Sequence, residues 1–167
     1  GSLGLAQAYS ATAAAAVGLI SGLNLIEISE ALHEYTPPPG RLRLIKGIKN
    51  SLILDDTYNA SPESMRVALE TLKNIPAKRK IAVLGDILEI GKYTEQVHRA
   101  VGDQAAKFVD ILFTVGLRAK FIADETRLSF APQNLGGFDD SLSAGRALDP
   151  LIQPGDLILI KGSQAMR

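Results

Sequence analysis

This 167-residue sequence contains no cysteine, which excludes a disulfide scaffold and a thiolate metal site. Its 18 basic and 18 acidic residues cancel, so the charge signature of a nucleic-acid-binding protein is missing. No apolar run approaches the roughly 20 residues of a membrane-spanning helix. The alanine-rich start lacks a basic leader and is a poor signal peptide. These absences favour a cytoplasmic globular protein with no nucleic-acid partner and no membrane insertion.

Two nucleotide-binding motifs are also missing. Neither the G-x-x-x-x-G-K-[ST] phosphate loop nor the G-x-G-x-x-G fingerprint occurs, and there is no His/Cys cluster for a metal. The chain therefore lacks the usual means of holding a triphosphate. We expect it, taken by itself, to hydrolyse no ATP and to carry no metal site.

The first forty residues read as two helices and a stiff connector. Residues 5–21 are rich in small side chains that allow close helix packing, and residues 25–34 form an amphipathic stripe. The T-P-P-P-G run at 36–40 ends any helix and marks a domain boundary. Two helices are too few to bury their own apolar faces. We therefore expect residues 1–40 to be a helical remnant and linker of another, central domain.

From residue 41 onward, short apolar strands alternate with amphipathic helices. Ser61 is predicted to cap a helix that begins at Pro62, and Thr94 is predicted to cap another. Further helices are predicted near 119–125 and over 141–152. The predicted strands are 42–45 and 51–54, joined as a hairpin, then 81–84, 111–115, 135–138 and 157–160. This alternation predicts that residues 41–167 are a doubly wound, Rossmann-like α/β domain, with a mostly parallel sheet covered by helices on both faces.

Polar residues follow the predicted strands, where open α/β sheets bind ligands. They are Asp55, Asp56, Gly85, Asp86, Thr114, Gly116, Lys161, Gly162 and Ser163. Acids at this edge can accept ribose hydroxyls or hold a metal, and a lysine with a hydroxyl suits a phosphorylated ligand. In the loop that follows the third predicted strand, Asp86 and Glu89 can receive a cationic amine. His98 either meets these acids or caps local polar groups, whereas His33 is expected on a helix surface.

Four segments resemble one known family. These are L-D-D-T-Y-N-A-S-P-E-S-M at 54–65, V-L-G-D-I-L-E-I-G at 83–91, H-x-x-V-G at 98–102 and K-G-S at 161–163. They are similar to the carboxy-terminal domain of the Mur ligases, and P-P-G-R at 38–41 is similar to its junction with the central ATPase domain. The resemblance covers nearly the whole chain and is weakest over 127–145.

The resemblance implies an ATP-dependent ligase of peptidoglycan precursor synthesis. In this family ATP phosphorylates a substrate carboxylate, and an amine attacks the acyl phosphate. The nearest branch joins D-alanyl-D-alanine to a UDP-N-acetylmuramoyl-tripeptide. ATP and Mg²⁺ are implied as cofactors, with their main sites in the central domain upstream of residue 1, and we expect a monomer. The fragment alone is expected to be inactive, and the family's final helix is missing after residue 167.

The resemblance also assigns individual residues. It places Arg41 on the nucleotide phosphates and Asp56 on the ribose, with Tyr58 and Asn59 in the turn beside this aspartate. Gln7 and Ser10 stand where the family has two asparagines that contact adenine. The residues implied to face the incoming dipeptide are Asp86, Glu89, His98, Lys161 and Ser163. Gln164 replaces an arginine that the family carries after K-G-S.

Three alternatives remain open from the sequence. A folylpolyglutamate synthase or another Mur ligase is the nearest competitor, and a binding module that has lost the reaction is a second. The third is a receiver domain of a response regulator. Such a domain has acids, a threonine and a lysine in this order at its strand ends, and the same order is found here in Asp56, Asp86, Thr114 and Lys161. Only one predicted helix separates Asp56 from Asp86, which leaves no room for a receiver's intervening strand and second helix.

Overall fold

The computed structural model describes residues 4–166, apart from the side chains of residues 5 and 6. It contains six helices and six strands of regular structure in this range. In chain order they are α1 (Leu5–Ile20), α2 (Leu25–Glu34), β1 (Arg43–Lys46), β2 (Leu52–Asp56), α3 (Pro62–Asn74), β3 (Arg79–Gly85), α4 (Thr94–Ala105), β4 (Ile111–Val115), α5 (Lys120–Thr126), β5 (Leu135–Phe138), α6 (Ser141–Leu148) and β6 (Asp156–Lys161).

The six strands form one sheet in the order β1-β2-β6-β3-β4-β5. β1 and β2 pair antiparallel as the predicted hairpin, and the other neighbours are all parallel. The mostly parallel sheet is therefore confirmed. The last strand, β6, inserts between β2 and β3, so the K-G-S segment at its end lies between the acid pair that ends β2 and the loop after β3.

Helices cover both faces of the sheet, as predicted. On β3, Ala82 and Leu84 pack into one buried cluster with α3, α4 and α5, while Ile81 points to the opposite face and packs with Leu148 of α6. This alternation is what a strand buried on two sides requires. The buried stripe of α3 includes Met65, Leu69 and Leu72, which are fully enclosed.

Both predicted helix starts are confirmed, because α3 begins at Pro62 and α4 begins at Thr94, but only Ser61 acts as a capping residue. The Ser61 hydroxyl accepts a hydrogen bond from the Ser64 amide at 3.2 Å, and Pro62 occupies the first helical position. Thr94 is the first residue of α4 and its side chain does not cap the helix, so only its predicted capping role is wrong. A 3-10 turn at Gly91–Tyr93 runs directly into α4, and the Thr94 hydroxyl donates to the Gly91 carbonyl at 2.7 Å. The backbone is already helical there, so no extended capping residue precedes α4.

The helices α1 and α2 leave most of their apolar side chains uncovered. Gly18 of α1 packs closely on the buried Ile28 of α2, the kind of contact that small residues allow. Val17, Ile20 and Ile26 remain 63, 88 and 71% exposed. Their assignment to a separate domain stays a prediction. Within residues 4–166, no helix is both long and apolar enough to cross a membrane.

Candidate functional site

The carboxyl ends of β2, β6 and β3 meet at one edge of the sheet. Asp56 pairs in register with Lys161, and Lys161 pairs with Leu84 on the other side. The predicted convergence of polar strand ends is therefore confirmed for these three strands. Thr114 is different, because it lies inside β4, is 1% exposed and donates to the Gly136 carbonyl of β5 at 3.4 Å.

Both members of the acid pair are bonded to the connector that precedes β1. The Gly40 amide donates to Asp55 Oδ2 at 2.8 Å, and the Thr57 hydroxyl donates to Asp55 Oδ1 at 2.7 Å. The Leu42 amide donates to Asp56 Oδ1 at 3.1 Å. The two carboxylates thus hold Gly40 and Leu42, on either side of Arg41, against the end of β2.

Lys161 forms a buried ion pair beneath this turn. Its side chain is 1% exposed, and its ammonium group lies 2.6 Å from Asp56 Oδ2 and 2.8 Å from the Asn59 carbonyl, to which it donates. The lysine therefore joins the end of β6 to the acid pair and to the following turn. Because the lysine is buried, its contact with the exposed turn is the hydrogen bond to Asn59.

A groove of about 570 Å³ opens beside the acid pair. Gln7, Arg41 and Asp56 line it together with the first turns of α3. The guanidinium carbon of Arg41 lies 3.9 Å from the centre of the Tyr58 ring, and Gln7 Nε2 donates to the Arg41 carbonyl at 3.4 Å. Three of the six residues predicted to contact the nucleotide thus surround one groove, and Tyr58 adjoins it through Arg41.

The other two residues of that prediction lie elsewhere. Ser10 lines a smaller cleft of about 210 Å³ between α1 and α2, which Gln7 also borders. Asn59 lines a separate cavity on the far side of the turn. The set is therefore distributed over neighbouring openings.

The sequence prediction missed Glu63, Ser64 and Arg66, which line the groove from the start of α3. Arg66 donates to both carboxylate oxygens of Glu63, at 2.7 and 2.9 Å, and these hydrogen bonds lower the pKa of the Glu63 carboxyl. A signal for them existed, because they directly follow the capped turn after the acid pair.

A second cavity, of about 330 Å³, lies on the other side of the same turn. Asn59 and Ala60 form one wall, and Leu88 and Glu89 form another with the segment after β6. Glu89 is exposed and has a left-handed backbone with φ of 63°, unusual for a residue with a side chain. Ser163 closes the cavity floor, where its hydroxyl accepts from the Leu88 amide at 3.0 Å.

Asp86 is engaged inside the protein. It is 4% exposed, and its Oδ1 accepts from the amides of Arg118 and Ala119 at 2.9 and 2.7 Å, at the turn that begins α5. Its carbonyl accepts from the Ser163 amide at 3.0 Å. The carboxylate therefore holds two loops of the edge together and borders a different opening from the one that Glu89 lines.

His98 is fully buried and caps local polar groups, the second of its two predicted interpretations. The Ile87 amide donates to Nε2 at 3.1 Å, so Nε2 carries no proton. Nδ1 lies 2.7 Å from the Thr94 carbonyl, an acceptor, and must therefore donate. Burial lowers the pKa of His98, in keeping with this neutral form. His33, as expected, is exposed on α2.

Comparison with known proteins identifies the family. The model of the Mur ligase, glutamate ligase domain, matches residues 40–164. The UDP-N-acetylmuramoyl-tripeptide–D-alanyl-D-alanine ligase of Bacillus subtilis is 31% identical over 167 residues, which are 99% of this chain and 36% of that enzyme. This chain thus spans about a third of the length of that relative.

Two solved structures have the same fold. MurF from Acinetobacter baumannii is 34% identical with a TM-score of 0.82, over 94% of this chain and 35% of that one. MurF ligase from Thermotoga maritima, in complex with ADP, is 26% identical with a TM-score of 0.81, over 100% and 37%. The family match excludes the receiver alternative. The chain therefore belongs to the Mur ligase family, as the match to its glutamate ligase domain over residues 40–164 shows.

Proposed function

We propose that this chain is part of an ATP-dependent ligase that adds D-alanyl-D-alanine to a UDP-N-acetylmuramoyl-tripeptide in the cytoplasm. One observation carries the proposal: the turn from Asp55 to Ala60 separates two openings of different chemistry. A groove lined by two arginines, Arg41 and Arg66, and by the acids Asp56 and Glu63 lies on one side, and a smaller cavity with an acidic rim lies on the other. The names of the relatives supply the substrates that these openings would receive.

In the proposed complex the larger groove receives the nucleotide. The guanidinium of Arg41 suits the phosphates, because its donors match pairs of phosphate oxygens. Asp56 Oδ1 and Oδ2 each accept one bond inside the protein, and a carboxylate oxygen has a second lone pair for a ribose hydroxyl. The Gln7 amide lines the same groove and offers donors and an acceptor to a base, while Ser10 borders the adjoining cleft.

The smaller cavity would receive the amine substrate. Glu89 is the exposed acid at its rim and suits the ammonium group of D-alanyl-D-alanine. Ser163 and Asn59 offer hydrogen bonds to the dipeptide backbone. Asp86, His98 and Lys161 act from beneath, because each bonds to main chain at or next to the rim: the Ser163 amide, the Ile87 amide and the Asn59 carbonyl respectively.

The proposed reaction begins when the carboxylate of the UDP-linked tripeptide attacks the γ-phosphorus of ATP and releases ADP. The free amine of the dipeptide then attacks the acyl phosphate, forms a tetrahedral intermediate, and expels phosphate as the amide bond forms. The deprotonated amine is the nucleophile, so the ammonium that Glu89 binds must lose a proton first. Within residues 4–166 no group of three His, Asp or Glu side chains is arranged for a metal, so the proposal gives Mg²⁺ no ligand there.

The test is ligation by the full-length protein that carries this chain. With ATP and UDP-N-acetylmuramoyl-tripeptide, we expect product with D-alanyl-D-alanine and little with D-alanine or L-glutamate. Arg41→Ala is expected to raise the KM for ATP at least about tenfold, since a hydrogen bond to a charged group is removed. Arg127→Ala, which removes a 76% exposed arginine of α5's end, is the matched control. Preferred use of L-glutamate, or an unchanged KM in Arg41→Ala, would contradict the proposal.

A further inference from the structure

The connector around Arg41 has an unusual backbone. Gly40 has φ of 76° and Leu42 has φ of 52°, so left-handed residues flank Arg41 on both sides. Residues other than glycine rarely adopt this backbone conformation, but Leu42 does so, with its side chain buried. A residue in such a conformation persists only where its surroundings hold it there. The question is therefore what holds this short segment.

The turn after β2 supplies the restraints. Gly40 donates to Asp55, the Tyr58 amide donates back to the Gly40 carbonyl at 3.1 Å, and Leu42 donates to Asp56. The residues that supply these three bonds all belong to the four-residue segment 55–58. The segment at 40–42 and the turn at 55–58 thus form one hydrogen-bonded unit, with Arg41 at its centre.

Contact is close enough to exclude any larger residue at position 40. A Cβ added to Gly40 would lie 2.7 Å from the Tyr58 backbone nitrogen. This approach brings the Tyr58 ring directly beneath the Arg41 guanidinium, whose carbon is 3.9 Å from the ring centre. Stacking on an aromatic face favours a cation there and reduces the number of directions that the long arginine side chain explores.

We propose that Asp55 and Tyr58 are positioning residues that fix Arg41 toward the groove, Asp55 through the Gly40 backbone and Tyr58 through its ring. The expected effect on nucleotide binding rests on the proposed function of the groove, whereas the placement of Arg41 by Asp55 and Tyr58 does not. Tyr58 then contributes to nucleotide affinity through Arg41, and its hydroxyl group is not required. A binding-competent orientation that is populated in advance raises apparent affinity in proportion to its population.

Binding of ADP to the full-length protein tests the coupling. Tyr58→Ala is expected to weaken ADP binding about threefold to tenfold, the range of a partly exposed cation–π contact. Tyr58→Phe is expected to recover most of that loss, because the ring remains. In the double variant Arg41→Ala/Tyr58→Ala the loss should equal that of Arg41→Ala within about twofold. Tyr93→Ala, which removes another exposed tyrosine stacked near a lysine, is the matched control.

Direct contact between Tyr58 and the nucleotide gives different results. A loss in Tyr58→Phe as large as in Tyr58→Ala, or additive losses in the double variant, would overturn the positioning role. For Asp55, hydrogen exchange at the Gly40 amide provides the second readout. Asp55→Ala should accelerate it and Asp55→Asn, which keeps an acceptor oxygen, should restore part of the protection; equal exchange in all three proteins would overturn that half.

A nucleotide-free measurement separates this inference from the proposed function. In the wild type, the Arg41 Nε–H proton resonance should show the ring-current shift of a stacked guanidinium, lost in Tyr58→Ala and retained in Tyr58→Phe. If the shift behaves so and ADP does not bind, the nucleotide proposal fails and the positioning stands. If ADP binds normally in Tyr58→Ala and the shift is absent in the wild type, the positioning fails while the proposed function survives.

Discussion

At the scale of single residues, the polar groups of this sheet edge are mostly occupied by one another. Lys161, Asp56 and Asp86 each have partners inside the protein, and in the described part of the chain no buried side-chain nitrogen or oxygen lacks a hydrogen bond. A buried charge is tolerated only when it is paired, because its desolvation is costly. These residues therefore stabilise the fold, whichever ligand binds at the sheet edge.

The Lys161–Asp56 pair should be important for stability. Lys161→Met leaves Asp56 without its buried partner and is expected to lower the free energy of unfolding by about 3–5 kcal/mol. Removing both charges, in Lys161→Met/Asp56→Leu, should cost less than the single change. Urea unfolding measures both. The control is Lys107→Ala, whose pair with Asp103 is 66% exposed on each side and worth at most about 1 kcal/mol. Equal costs for the two lysines would contradict this account.

His98 should make stability depend on pH. Burial lowers the pKa of the folded-state imidazole below its ordinary 6.5, so between the two values the unfolded chain binds the extra proton and the fold does not. The contribution of neutral His98 is therefore complete above about pH 6.5, and it is lost as the pH falls from 6.5 through the lowered value.

Urea unfolding at pH 8 and pH 5 provides the measurement. His98→Gln removes the two hydrogen bonds of the buried imidazole. It should therefore lower the free energy of unfolding by about 1–3 kcal/mol at pH 8. The loss of stability on going to pH 5 should be smaller in this variant than in the wild type. His33→Gln, at an exposed position of α2, is the control variant. An identical pH response in His98→Gln and the wild type would refute the prediction.

At the scale of elements, turns determine where functional side chains lie. β2 ends in two acids whose side chains reach back to the connector, and the turn after them leads into the capped start of α3. The connector's prolines end α2, and its glycine permits the left-handed backbone that the acids then hold. The groove beside Arg41 exists because these turns are bonded together.

Two glycines with similar backbone conformations allow the cost of backbone strain to be measured apart from the cost of a steric clash. Gly40 and Gly22 have φ of 76° and 89°, but a Cβ would meet the Tyr58 nitrogen at 2.7 Å in the first case and nothing within 4 Å in the second. Gly22→Ala should therefore cost about 1–2 kcal/mol in the free energy of unfolding, from backbone strain alone. Gly40→Ala should cost more, by the added clash. Thermal or urea unfolding compares them, and equal costs would show that the connector gives way.

At the scale of the whole molecule, the insertion of β6 between β2 and β3 brings the site together. Segments more than 100 positions apart in sequence contact there, as in the bond from Lys161 to Asn59, whose sequence separation is 102. The groove lies where the α1 start, the connector and α3 meet, and the smaller cavity lies between the β2, β3 and β6 loops. A ligand in either opening therefore contacts several elements at once.

The 167-residue chain by itself is expected not to hydrolyse ATP. Arg41, Asp56 and Gln7 offer contacts to a nucleotide, but the sequence contains no phosphate loop to bind and activate a triphosphate. Phosphate release measured with this chain, beside a complete Mur ligase as the positive control, should stay at the rate of the buffer blank. ATP-dependent turnover by the chain would refute the expectation.

Much of the architecture was determined by the sequence itself. The strands at 111–115 and 135–138 were predicted with their observed bounds, because short apolar runs between amphipathic helices have few alternatives. The Ser61 cap and the hairpin were likewise local features. The capping role of Thr94 was predicted wrongly, because a 3-10 turn runs directly into α4 and the extended backbone of a capping residue is missing there.

Only the tertiary structure decided what the site residues contact. The sequence placed Asp55, Asp56 and Lys161 at one edge, since their positions follow from strand ends. It did not indicate that Asp55 and Asp56 hold the connector, that Lys161 is buried against Asp56, or that Tyr58 lies beneath Arg41. Those partners are distant in sequence and are set by the order of strands in the sheet, a property of the folded chain that no local pattern encodes.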